Sequence, residues 1–199
     1  RYKDVDGDGI AWRTLPGTHA TKGSYFTRGT TRDPYARYSE RGTDYVYNVQ
    51  RLLTKFRTAA ALVPPPQLRP AQRKTALGVI FFGSTSPAMH EALDVMTAQG
   101  VDLDALRLCA FPFPESVAQF IATHATVYVV EQNRDAQMRQ LLVNELGIDP
   151  AKLVPVLHFD GTPITARFII GKVTDHVASV RSAAAEAGTN APAHDTEAV

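Results

Sequence analysis

The feature that most constrains this chain is an alternation that begins at Leu77. From there to about residue 185, short continuous apolar runs alternate with amphipathic stretches. Leu77–Phe82, Ala105–Phe111, Thr126–Val130 and Leu153–His158 read as strands. Pro87–Gln99, Glu115–Thr123 and Arg134–Leu146 carry helical spacing, and a last helix runs from Thr162-Pro163 to about Ala185. A run that is apolar at every position is a strand covered on both faces. Such strands need helices on both sides and crossover connections, so the expected fold is α/β with a mostly parallel sheet and right-handed crossovers. Ser86 is expected to cap the first of these helices, with Pro87 at its first position and Gly100 as its stop. Asn133 and Gly147 are expected to bound the third.

The first part of the chain is different. Residues 1–44 are rich in Gly, Thr, Arg and Tyr and show little periodicity. Asp44–Leu62 then has apolar residues at helical spacing (Val46, Val49, Leu52, Leu53, Phe56, Ala60), with Arg51, Lys55 and Arg57 assigned to the wet side. A loop-rich extension and one helix therefore precede the α/β part. Long structureless stretches are uncommon inside compact domains, so residues 1–63 read as the end of another domain. Pro64-Pro65-Pro66 ends the helix and opens an exposed linker over 64–75. The α/β domain is placed at 76–185, and the Ala/Thr/Pro-rich tail at 186–199 is expected to be disordered.

Charge follows the same division. The net charge is +1, yet residues 1–63 hold 11 basic and 6 acidic residues and the remainder 10 and 14. The acids interspersed in the basic part argue against nucleic-acid binding. A single cysteine, Cys109, excludes a disulfide framework and a cysteine-held iron–sulfur cluster within this chain. No apolar run approaches the roughly 18 residues of a membrane span. The chain opens Arg-Tyr-Lys-Asp, without Met or an apolar leader, and reads as a piece of a larger protein in a reducing cytoplasm.

Several short motifs bear on chemistry. Asp4-Val5-Asp6-Gly7-Asp8-Gly9 resembles the start of a calcium loop, but the twelfth position is Leu15 where a Glu is needed. A turn held by Asx hydrogen bonds is the preferred reading. Gly7-Asp8-Gly9 is similar to the first half of a thiamine-diphosphate magnesium motif, whose later Asn is missing here. The histidines (19, 90, 124, 158, 176, 194) have no metal-ligand spacing, and no metal site is assigned. Gly83, Ser84, Thr85 and Ser86 join a strand end to a helix start and form a candidate anion loop. Glu131 and Arg134, in a polar run after the third strand, are candidates for a subunit interface. His19, Arg28 and Arg32, in the basic segment, are candidates for gripping carboxylate or phosphate groups, or a partner subunit.

Longer strings carry a family resemblance. Asp4–His19, Gly23–Thr30, Phe82–Met89, Val130–Gln137 and Val156–Arg167 together resemble, in order, the alpha subunit of 2-oxoacid:ferredoxin oxidoreductases of the 2-oxoglutarate type. The resemblance covers roughly residues 1–170. It implies that residues 1–63 end a thiamine pyrimidine-binding domain and that 76–185 is similar to the C-terminal domain of transketolase. It implies a beta subunit carrying thiamine diphosphate with magnesium and a [4Fe-4S] cluster, with none of these bound by this chain alone. It implies coenzyme A and ferredoxin as further partners and an (alpha-beta)2 heteromer. The implied reaction converts 2-oxoglutarate to succinyl-CoA and carbon dioxide. On this reading His19, Arg28 and Arg32 contact substrate, coenzyme A or the beta subunit, and the fragment alone is inactive. Two alternatives stay open at this point: the same family acting on pyruvate or another 2-oxoacid, and a stand-alone α/β module that binds an anion without catalysis.

Overall fold

The computed structural model describes residues 2–23 and 28–189. The chain divides into two compact units, one of residues 1–65 with 110–114, the other of residues 66–109 with 115–199.

In the first unit, β1 (Thr31–Arg32) pairs antiparallel with β2 (Tyr38–Ser39). Asp33 shapes the turn between them, its Oδ1 accepting the N–H groups of Tyr35 and Arg37 at 2.9 and 2.8 Å. Helix α1 (Gly42–Leu62) follows. Val63, extended at ψ 158°, ends it before the three prolines, as sterics before proline require.

The face that α1 buries is not the one its sequence pattern assigns. Arg51 Nη1 donates to Gly9 O at 2.8 Å, Thr58 Oγ1 to Asp8 O at 2.6 Å, and Asn48 Nδ2 to Arg32 O at 2.7 Å. Asn48, Arg51 and Thr58 thus pack on the loop-rich segment, while Lys55 and Arg57 are exposed as expected. Val46, Val49, Leu52, Leu53 and Phe56 remain 39–58% exposed. The physical reason is that Gly9, Asp8 and Arg32 present backbone carbonyls to this side of the helix, which polar side chains satisfy and apolar ones do not.

The second unit holds a five-stranded sheet in the order β3-β5-β4-β6-β7. The strands are β3 (Gln67–Arg69), β4 (Leu77–Phe82), β5 (Asp104–Leu108), β6 (Thr126–Glu131) and β7 (Leu153–Leu157). β4 through β7 are parallel, and β3 lies antiparallel on β5. The helices are α2 (Ser86–Ala98), α3 (Glu115–Thr123), α4 (Gln137–Leu146) and α5 (Ala166–Thr189). The α/β fold with a mostly parallel sheet is as expected.

Side-chain alternation divides the core into two layers. Val79, Phe81, Ala105, Tyr128, Val130 and Val156 share one cluster with Met89, Ala92 and Met96 of α2 and Ile169, Val173 and Val177 of α5. On the other face Gly78 lies against Phe120 and His124 of the α3 region, where a Cβ would come within 3.0 Å of the Phe120 ring.

Four boundaries differ from the sequence reading. Segment 64–75, expected as an exposed linker, contributes β3 and is stitched to the sheet edge. Ala71 N–H donates to Asp104 Oδ1 at 2.7 Å, and Arg73 Nε to Asp102 Oδ2 at 2.6 Å. A three-residue edge strand flanked by prolines has too little apolar pattern to announce itself. Ser86 is not an N-cap: Gly83–Thr85 form a 3₁₀ turn that runs directly into α2, and Ser86 Oγ donates to Gly83 O at 3.0 Å. Helix α4 starts at Gln137, because Asn133 Oδ1 instead accepts the N–H groups of Asp135 and Gln137 in a turn before it. Finally, α5 begins at Ala166 behind Thr165, whose Oγ1 accepts from Phe168 N at 3.3 Å. It extends through residue 189, so residues 186–189 of the expected tail are helical, and the remainder, 190–199, lies outside the described residues. No helix among the described residues is long and apolar enough to cross a membrane.

Candidate functional site

The strand order, read over the parallel strands alone, runs second, first, third, fourth. The chain leaves β4 for one side of the sheet and returns through β6 on the other. Connections therefore diverge above the carboxyl ends of β4 and β6, and open α/β sheets bind ligands at such a crevice. A cleft of about 420 Å³ lies there, lined by Phe82, Gly83, Ser84 and Thr85 from one loop and Gln132, Asn133, Gln137, Met138 and Leu141 from the other.

Two segments singled out in the sequence, Gly83–Ser86 and the run after the third strand, thus come together. Gln132 joins them. Its Nε2 donates to Ser84 Oγ at 3.1 Å and to Thr85 Oγ1 at 3.2 Å. Its Oε1 accepts from Ile164 N at 3.5 Å, which ties in the loop after β7. In that loop, hydrogen bonds from the Thr162 hydroxyl and N–H hold the Asp160 carboxyl below the usual carboxylate range.

Glu131 does something other than face a partner subunit. It is 0% exposed. Its carboxylate accepts from Met138 N at 2.7 Å, Arg139 N at 2.9 Å and Asn133 Nδ2 at 2.8 Å. A buried carboxylate at a helix start satisfies two otherwise orphaned N–H groups and opposes the helix dipole. Arg134, the other interface candidate, lies on the surface and pairs with Asp135 at 2.7 Å.

The basic trio of the first unit is dispersed by role. His19 lies in an exposed turn, its Nδ1 accepting from Thr21 N and Lys22 N, both at 3.1 Å. Arg28 is exposed. Arg32 is 5% exposed and lies over the Tyr38 ring at 6.0 Å, so its guanidinium is not presented to a ligand. Among the described residues no hydrogen bond or ion pair joins any two of the three.

Among the described residues one carboxylate cluster has the spacing of possible metal ligands. Asp4, Asp6 and Asp8 bring carboxylate oxygens within 4.8 Å of one another. Asp4 already accepts Gly7 N and Gly9 N at 2.9 Å each, and Asp8 accepts Ile10 N at 2.7 Å, which is the Asx-turn pattern. Cys109 supplies one thiolate where a cluster needs four. His124 faces Asp104 and Phe120 O, His176 faces Tyr128, and His158 donates its backbone N–H to Glu131 O. His194 lies outside the described residues.

The sequence reading held Gln132 only as one member of the polar run after the third strand, and gave Gln137 and Met138 no role. All three lie in or beside the Val130–Gln137 string, but a run of polar residues gives no rank to one amide over another until the strand ends are fixed. The switch-point order is the missing signal.

No family model matches the chain, and no curated protein matches it. Solved structures do. Over 87% of its length the chain superposes, at a TM-score of 0.74 and 22% identity, on the structure of 2-oxoglutarate:ferredoxin oxidoreductase from Magnetococcus marinus with 2-oxoglutarate, coenzyme A and succinyl-CoA bound. It spans 30% of that chain. The alpha chain of a probable 2-oxoacid ferredoxin oxidoreductase from Thermoplasma acidophilum matches 57% of this chain and 97% of its own, at 22% identity and a TM-score of 0.39. A split-gene transketolase, described as an inactive beta4 tetramer, matches 55% of this chain and 40% of its own, at 16% identity and a TM-score of 0.43. At these scores the latter two add nothing to the assignment. The chain therefore has an α/β fold of the kind found in 2-oxoacid:ferredoxin oxidoreductases, and in particular that of a segment of the Magnetococcus marinus enzyme.

Proposed function

We propose that this chain is part of the alpha subunit of a thiamine-diphosphate-dependent 2-oxoglutarate:ferredoxin oxidoreductase. The observation that carries the reading is the superposition at a TM-score of 0.74 over 87% of the chain. The collinear strings from Asp4 to Arg167 support it independently. In the assembled enzyme 2-oxoglutarate, coenzyme A and two oxidised ferredoxins give succinyl-CoA, carbon dioxide, two reduced ferredoxins and a proton. Thiamine diphosphate, with its magnesium and a [4Fe-4S] cluster on a beta subunit, supplies the carbanion and electron-transfer chemistry.

This chain's part is scaffold and subunit interface in a cytoplasmic (alpha-beta)2 heteromer. Residues 1–63 close the pyrimidine-binding domain, and 76–185 form the transketolase C-terminal-like domain. The apolar stripe of α1 supports this role, because an exposed row of Val46, Val49, Leu53 and Phe56 is what a covered interface leaves when its partner is absent. His19 and Arg28, both exposed, are the contacts proposed toward substrate, coenzyme A or the beta subunit. Arg134 is the contact proposed for the second unit.

Co-purification from the native host tests the reading. A cysteine-rich partner, a broad iron–sulfur absorbance and 2-oxoglutarate-dependent ferredoxin reduction are the expected results. Reduction driven by pyruvate alone would move the substrate within the family. Absence of any 2-oxoacid-dependent reduction in the purified complex would overturn the proposal.

A further inference from the structure

His124, just past the carboxyl end of α3, has an acceptor against each of its ring nitrogens. Nδ1 lies 2.6 Å from Phe120 O, and Nε2 lies 2.9 Å from Asp104 Oδ2 on β5. A carbonyl oxygen cannot donate, so Nδ1 must carry a proton. The Thr123 hydroxyl, 3.4 Å from Nδ1, does not change this, because it donates to Phe120 O at 3.0 Å. On the other side Asp104 serves as a carboxylate. Its Oδ1 accepts the N–H of Ala71 at 2.7 Å, and its side chain is 30% exposed, which keeps the charge solvated. An ionised carboxylate only accepts, so Nε2 must carry a proton as well. The His124 side chain is 6% exposed, and a neutral tautomer would leave one buried lone pair aimed at an oxygen.

The surroundings agree with a cation. The last carbonyls of α3 carry the negative end of the helix dipole, which favours an imidazolium there. Lys152 places its ammonium on Ile121 O and Ala122 O at 3.1 Å each and opposes a second positive charge at this helix end. Asp104, in direct contact with the ring, outweighs it. β4 contributes the uncharged Gly78, and in segment 64–75 Arg73 pairs with Asp102 at 2.6 Å. The groups so joined come from three separate parts of the second unit: Ala71 before β4, Asp104 on β5 and His124 after α3.

We infer that His124 holds a proton on both ring nitrogens at neutral pH, and that this second proton latches the end of α3 to β5 and, through Asp104, to segment 64–75. The latch is pH-sensitive in one direction. A proton that the folded chain holds more tightly than the unfolded one gives stability that is complete below the ordinary imidazole range. That stability is lost as pH rises through the value of the folded pair. Alkaline solution therefore frees the end of α3 and Ala71 from the pair while the sheet stays formed. The inference rests on the second unit alone and is independent of the oxidoreductase reading.

Nitrogen chemical shifts of the imidazole rings, recorded on the full 199-residue chain, test it. At about pH 7.5, where an ordinary imidazole is mostly neutral, both His124 ring nitrogens are expected to show protonated shifts. Asp104→Asn keeps the shape and offers Nε2 a donor instead of an acceptor, so that nitrogen is expected to be unprotonated at the same pH. In the parent chain the hydrogen-exchange protection of the Ala71 amide is expected to fall about tenfold as His124 loses its second proton, and Asp104→Asn is expected to lack that step. If the variant misfolds, the ring shifts and the Ala71 step of the parent chain carry the test. A neutral His124 ring in the parent at that pH, a doubly protonated ring in folded Asp104→Asn, or Ala71 protection that ignores the His124 titration would each overturn the inference.

Discussion

Glu131 Oε2 accepts the backbone N–H of Met138 at 2.7 Å, across seven residues and a turn that the helix-capping pattern does not use. The bond ties the end of β6 to the start of α4, where Met138 lines the switch-point cleft. Glu131→Gln keeps an acceptor but loses the charge, and is expected to cost about 1.5–3 kcal/mol. Glu131→Leu leaves two buried N–H groups without partners and is expected to cost roughly twice that. Urea unfolding of the two variants checks the order, and a neutral Gln variant would show that the carboxylate charge contributes nothing.

The α/β character was legible because β4, β5, β6 and β7 are apolar runs with few alternatives. The site was legible only in halves. Gly83–Ser86 and Glu131–Arg134 stand out as polar strand ends, but pairing them needs the order of β4 next to β6, which hydrophobicity does not encode. Glu131 misled for a related reason: a carboxylate in a polar run looks exposed until its three donors are located. β3 was hidden because Leu68 is the one apolar residue in a strand of three.

Helix α1 provides a second test, since its periodicity was plain, yet its apolar stripe is exposed and Asn48, Arg51 and Thr58 make its contacts. Leu53→Gln on the exposed stripe is expected to change the stability of the first unit by no more than about 0.5 kcal/mol. Asn48→Ala removes bonds to Thr31 Oγ1 at 3.0 Å and Arg32 O at 2.7 Å. It is expected to cost about 1–3 kcal/mol. Denaturant midpoints compare the two, and a larger loss from Leu53→Gln would restore the opposite orientation.

Acid should loosen the start of α1. Hydrogen bonds from Ser39 and then Arg41 hold the Asp44 carboxyl below the usual carboxylate range. A depressed folded value means that the stabilisation is complete above the ordinary carboxylate value and is lost as pH falls through the depressed one. Near-ultraviolet signals of Tyr45 and Tyr47, followed by acid titration, should shift in that window. Ser39→Ala, which removes the largest cause, is expected to move the transition to higher pH.

Two glycines should respond with opposite signs. A Cβ on Gly78 would come within 3.0 Å of Phe120 Cε1 and 3.1 Å of His124 Cγ. His124 is itself held by bonds to Phe120 O at 2.6 Å and Asp104 Oδ2 at 2.9 Å, so it yields poorly. Gly78→Val is therefore expected to destabilise the second unit by about 1–3 kcal/mol through overpacking. Gly171 lies inside α5 with nothing within 4 Å of the Cβ position. Gly171→Ala is expected to stabilise by about 0.5–1 kcal/mol, because a helix interior favours alanine. Thermal melts of both variants decide the matter: equal effects would mean that α3 does not pack against Gly78 as closely as the side-chain positions require.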